Sequence, residues 1–199
     1  MKLIDWFRGK KLVTLSVTGN LPSVVQFFTG DDAPSKWWSH PLGNEIYNGY
    51  QALLDDKDSL QLKLVDRKVT LAHRSLWPTL LRLAIDPARR KSVKGKLSKP
   101  AAKLLGIVEK SGSVRLDFVE PEWSGGSKGL KRAREELERY GAVLTQDEHT
   151  ERGSHQLVLE SWEHFRERAR IPEKDLPSLQ EATAKISKLV GPHKTTLTS

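Results

Sequence analysis

Apolar residues recur at helical spacing in four places: Leu42, Ile46, Tyr50, Leu53 and Leu54; Leu76, Leu80 and Leu83; Ala101, Leu104, Leu105 and Val108; Leu130, Ala133, Leu137 and Tyr140. Steps of three and four residues put each set on one side of a helix. Pro41 suits the first turn of the first helix, and Asp55-Asp56-Lys57-Asp58 ends it. Ser75 caps the second and Asp86-Pro87 stops it. Ser98 and Pro100 open the third, which runs to Gly112, and Ser127 caps a fourth that ends at Tyr140 before Gly141. A weaker pattern through Leu176, Leu179, Ala182, Ile186 and Leu189 predicts a last helix, followed from Gly191-Pro192 by a mobile end.

Elsewhere the period is two. Leu60, Leu62 and Leu64, then Val69 and Leu71, alternate with polar residues around Asp66-Arg67, the pattern of a hairpin. The β-branched and aromatic content of Leu12–Val17 and Ser23–Thr29 predicts two short strands, with a short helix from Pro22 as the competing reading. Val114, Leu116 and Phe118 alternate as a short strand ahead of a loop from Glu120 to Gly126. Residues 142–149 and 155–160 form two strand-like arms around Glu151-Arg152-Gly153-Ser154. The fold class expected is α+β: an N-terminal mixed unit (1–86), a basic connector (87–97), a winged-helix domain (98–165), and a C-terminal helix with its tail (166–199). Helix, short strand, helix and hairpin is the winged-helix order, in which the last helix enters the major groove and the hairpin lies along the backbone.

Composition narrows the classes. The chain has 199 residues, 37% hydrophobic and 29% charged, enough apolar content for a packed core. It has no cysteine, which excludes disulfides, thiolate nucleophiles and cysteine-based metal sites. No apolar run approaches a membrane span and no signal-peptide core is present, so a cytoplasmic protein with no membrane partner is expected. The net charge of +8 is concentrated. Residues 61–112 carry thirteen Lys and Arg against three Asp and Glu, whereas 1–60, 113–141 and 142–199 come to −1, 0 and −1. Within that block Arg89, Arg90, Lys91, Lys94, Lys96, Lys99 and Lys103 follow one another without an intervening acid, a run that suits an anionic partner; a solvated basic loop is the plainer alternative.

On the helix from Ser127, Leu130, Ala133, Leu137 and Tyr140 share one stripe, and Lys128, Lys131, Arg132 and Arg139 lie opposite. Its bases precede its acids, against the preference of the helix dipole, as a helix that presents its first turns to phosphate requires. The alternative is a surface helix laced by Lys131–Glu135 and Arg134–Glu138 pairs. Arg152, near the tip of the wing, has the planar fork best able to hold a phosphate. A second group, Trp37, Trp38, His40, His73, Arg74 and Trp77, is a possible pocket for stacking on bases, against the alternative of tryptophans packed in a core. His149 and His155 are expected opposite each other on the hairpin. No metal, cofactor or catalytic set is assigned, since no phosphate-binding glycine loop, nucleophile elbow, dinucleotide fingerprint or zincin motif is present.

The segment Ser98 to Trp162, above all His149-Thr150-Glu151-Arg152-Gly153-Ser154-His155 followed by Glu160-Ser161-Trp162, resembles the winged-helix part of uncharacterised bacterial proteins that are distantly similar to the AlkZ-type DNA glycosylases. The AlkZ-type enzymes are much longer and handle an alkylated base with paired polar side chains, glutamine among them. No such pair is matched here. The resemblance therefore implies DNA binding more than glycosylase chemistry. The leading expectation is a nucleic-acid-binding module, with DNA favoured over RNA. The alternatives are a nucleic-acid-processing enzyme, such as a DNA-repair glycosylase-like protein, and a protein-interaction scaffold.

Overall fold

The first strand pairing follows from a turn that the sequence marks only weakly. In a computed structural model, which describes residues 2–19, 21–30, 36–149 and 155–198, strands β2 (Ser59–Val65) and β3 (Lys68–His73) are joined by Asp66-Arg67. Both turn residues have positive φ, 47° and 60°. That is the geometry whose twist matches the two strands. β1 (Leu12–Thr14) pairs with the other edge of β3, giving an antiparallel sheet of order β1-β3-β2. Helices α1 (Leu3–Lys10), α2 (Val24–Thr29) and α3 (Gly43–Leu54) contribute with this sheet to a core of Trp6, Phe7, Val13, Val25, Ile46, Leu53 and Leu71. Gly49 of α3 is required there, because a Cβ would stand 2.6 Å from the Phe28 ring.

These elements, with residues 185–195, make the first of two units; the second comprises 78–184 and 196–199. The division falls after Trp77. In the second unit α4 (Trp77–Ala84) buries Leu80, Leu81 and Leu83, and is followed by α5 (Pro87–Lys96) and α6 (Lys99–Ser111). A short strand β4 (Ser113–Arg115) leads to the single turn α7 (Leu116–Val119) and then to α8 (Gly126–Arg139). β5 (Leu144–His149) and β6 (His155–Glu160) form an antiparallel hairpin, and β4 adds to β6, so the sheet order is β4-β6-β5. α6, α8 and one face of this sheet enclose Leu104, Leu105, Val108, Leu130, Leu137 and Leu159. Each fully buried large side chain of this cluster stabilises the unit by roughly 1.5–3 kcal/mol. α9 (Trp162–Arg168) and α10 (Leu179–Val190) complete the chain. The fold is therefore mixed α+β with two small antiparallel sheets. Among the described residues, no helix is long and apolar enough to cross a membrane.

Several local expectations are corrected. Residues 24–29 are helical, not extended, because the Ser23 side chain accepts from the Gln26 N–H and starts a turn that β propensity argues against. Asp86-Pro87 opens a helix as well as ending one: the Asp86 carboxylate accepts from Arg89 N–H at 2.9 Å and Pro87 occupies the first turn. The stretch read as a basic connector is thus α5, held by its one buried apolar residue, Val93. Ser75 and Ser127 are not the caps expected of them. Ser75 lies in a 3-10 turn, Arg74–Leu76, and its N–H donates to His73 Nδ1, while Gly125 precedes α8. Strand β4 stops at Arg115, where its pairing with β6 stops, so Leu116 and Phe118 fall on a helical turn instead. Near the C-terminus, Thr195, Thr196 and Leu197 are buried rather than mobile.

Candidate nucleic-acid interface

Polar contacts hold the first half of α6 against α8 and the segment that leads into it. The Ser98 side chain caps α6 by accepting from Ala101 N–H, and Ser98 N–H and Oγ both donate to the Glu136 carboxylate of α8, each at 2.7 Å. Farther along α6, Lys103 Nζ lies 5.1 Å from the centre of the Trp123 ring, a cation–π contact. Trp123 in turn covers the first turn of α8, where a Cβ on Gly129 would sit 3.5 Å from its ring. The start of α6 therefore lies beside the second half of α8, and the middle of α6 beside its first turn.

Lys99 and Lys103 of α6 and Lys128, Lys131, Arg132 and Arg139 of α8 are all exposed, as is Glu135. The helix has its apolar stripe where the spacing predicts, with Leu130, Ala133 and Leu137 buried. Both predicted intrahelical pairs form: Lys131–Glu135 at 3.9 Å and Arg134–Glu138 at 3.3 Å. They differ in kind. Glu138 is buried, and it also accepts from Thr145 Oγ1 at 3.0 Å, so Arg134 and Glu138 tie α8 to β5. Lys131 and Glu135 are solvent-facing, a pair worth at most about 1 kcal/mol and readily exchanged for another anion.

The basic run divides. Lys91, Lys96, Lys99 and Lys103 are exposed. Arg89 is not a surface cation: its guanidinium donates to the carbonyls of Ala84 (3.2 Å), Tyr140 and Thr196 (3.0 Å). Burial depresses its pKa to about 10, with Asp86 acting in the opposite sense, so it stays charged at neutral pH. Arg90 donates to Glu163 and, at 2.7 Å, to Glu109, which also accepts from Lys94 at 2.9 Å. Burial alone would raise the Glu109 carboxyl, but the hydrogen bonds from Lys94 and Arg90 outweigh it and hold that group below its usual range. Arg89, Arg90 and Lys94 thus brace α5 against α6, α9 and the C-terminal residues.

Of the wing, Arg152 lies outside the described residues, while backbone pairing sets His149 opposite His155 as expected. Among the described residues no group of three or more His, Asp or Glu could hold a metal ion. Residues of the possible pocket are placed in two groups. Trp37 and Trp38 form an edge-on pair in a 3-10 turn before α3, Trp38 being 65% exposed, and His40 Nδ1 accepts from Leu42 N–H at 3.2 Å. His73 ends β3 with its ring edge-on to Phe7, and burial lowers its pKa. Arg74 pairs with Asp58 at 3.1 Å, and buried Trp77 donates from Nε1 to the Ala72 carbonyl. Trp77 is therefore a core residue.

One polar cluster was not anticipated from the residues. The buried Glu160 carboxylate accepts two hydrogen bonds from Arg168 and one from His164 Nδ1, all at 2.8 Å, and a fourth from Gln146 at 3.0 Å. The only sequence signal was the spacing Glu160, His164, Arg168, which aligns if Ser161 caps a helix, as it does. The cluster fixes α9 to the end of the hairpin. Comparison with models of known protein families, with curated proteins and with solved structures found no match.

Proposed function

We propose that the second unit is a winged-helix module that binds duplex DNA, with α8 as the helix entering the major groove and the β5–β6 hairpin as the wing. The order α6, β4, α7, α8, β5, β6 and the pairing of β4 with β6 support the reading. The observation that carries it is the cationic outer face of α6 and α8. Lys99, Lys103, Lys128 and Arg132 are exposed there. The acids of α8 lie in its second half, and Lys128 and Arg132 in its first turns supply the positive charge that phosphate contact needs. Lys131 and Arg139 widen the face.

The test is fluorescence anisotropy with a labelled duplex of about two helical turns, over a series of salt concentrations. Log affinity should fall linearly with log salt. Replacing Lys128 and Arg132 together by Ala should lower the slope by about 1.8, since each lost phosphate contact removes about 0.9. The Arg152→Ala variant should weaken all sequences about equally. Salt-independent binding, or a slope unchanged in the double variant, would refute the reading.

A further inference from the structure

α8 carries three acids, and their surroundings differ. Glu136 accepts from Ser98 N–H and Oγ, and the buried Glu138 accepts from Thr145 Oγ1 and Arg134. Glu135 is exposed, and its ion pairs with Lys131 and Arg134, at 3.9 and 3.8 Å, are too long to be hydrogen bonds. Among the described residues its carboxylate meets no donor at hydrogen-bond distance.

Steps of three and four residues place Glu135 among Lys131, Arg132 and Arg139, all exposed, on the side away from buried Leu130, Ala133 and Leu137. An acid in the middle of a cationic stripe opposes contact with phosphate, since both groups offer only acceptors and both are negative. The same carboxylate gains a hydrogen bond where a base edge turns a donor toward it. In the major groove those donors are the amino groups at cytosine N4 and adenine N6, and adenine sets its N7 acceptor beside the amino group, which repels a carboxylate. Lys131, one turn before Glu135, has the complementary requirement, met by guanine O6 and N7. The two side chains together present donors and an acceptor, as the edge of one G·C pair presents acceptors and a donor.

We infer that Glu135 determines sequence specificity by accepting from cytosine N4 while Lys131 donates to the guanine of the same pair. The inference rests on the reading of α8 as the helix in the major groove, with Lys128 and Arg132 on phosphates. Glu135 acts by attraction and by exclusion: it favours cytosine at its position, and its charge penalises any base that sets an acceptor there.

Selection of bound duplexes from a pool randomised over about ten base pairs, with the full chain at one fixed salt concentration, tests it. The native protein should enrich cytosine at one position. A duplex carrying it should bind at least about fivefold tighter than the same duplex with thymine there. Glu135→Ala should erase this difference and bind the thymine duplex about twofold or more tighter than the native protein does. Glu135→Gln should move the preference toward adenine, whose N6 and N7 match an amide. Replacing Lys128 and Arg132 by Ala should instead weaken both duplexes alike. Circular dichroism confirms that each variant is folded. A cytosine preference unaltered in both Glu135 variants, or salt-dependent binding without cytosine enrichment, would overturn the inference and leave the duplex-binding reading in place. Absence of duplex binding would remove that reading and this inference with it.

Discussion

Arg89 offers the sharpest separation between a structural and a ligand-binding cation. In Arg89→Ala the carbonyls of Ala84, Tyr140 and Thr196 lose their donor together. A hydrogen bond to a charged group contributes about 1.5–3 kcal/mol, so the gross loss is large. Against it stands the cost of keeping a guanidinium in the interior, visible in its pKa of about 10, which the substitution relieves. A net loss of about 3 kcal/mol is expected, and for a protein of this size that lowers Tm by roughly 6–12 °C. Arg89→Lys should recover only part of the loss, because a compact ammonium does not reproduce the planar fork that reaches three carbonyls. The assay is urea and thermal unfolding, followed by tryptophan fluorescence. Under conditions where the variant remains folded, the salt dependence of DNA binding should match that of the native protein. A stability change under about 0.5 kcal/mol together with a slope reduced by about 0.9 would show that Arg89 meets phosphate, and would refute this account.

Two further outcomes test other elements. Replacing Arg67 by Gly should stabilise the first unit by about 0.5–1 kcal/mol, because Arg67 holds a φ of 60° that costs a non-glycine residue energy; a lower urea midpoint would show that the side chain contributes more than the turn costs. The Glu109 carboxyl titrates below its usual 4.5, so its contribution to stability is complete above that pH and is lost as pH falls through its lower folded value. Tm measured from pH 6 to pH 3 should therefore drop less steeply below about 4.5 in Glu109→Gln than in the native protein, and parallel profiles would remove Glu109 from the acid response.

What the sequence determined by itself is local. Ser98, Pro100 and the spacing of Ala101, Leu104, Leu105 and Val108 specified α6, because a cap and an apolar stripe act within a few residues of each other. Alternation around Asp66-Arg67 specified the β2–β3 hairpin for the same reason, as did the stripe of α8. Ser23 shows the limit: its side chain caps a helix within a segment of strand-forming residues, and that helix buries Val24 and Val25. Which basic residues are free was decided only by the tertiary structure. In sequence Arg89 and Lys91 are equivalent members of one positive run. In the fold, one is held by carbonyls 51 and 107 residues away, and the other is exposed. Glu160 is a comparable case, since its charge becomes a structural anchor only when Gln146 from the neighbouring strand meets His164 and Arg168 from the next helix. Composition counts charges, but partners distant in the chain decide whether a charge is spent inside the protein or left for a ligand.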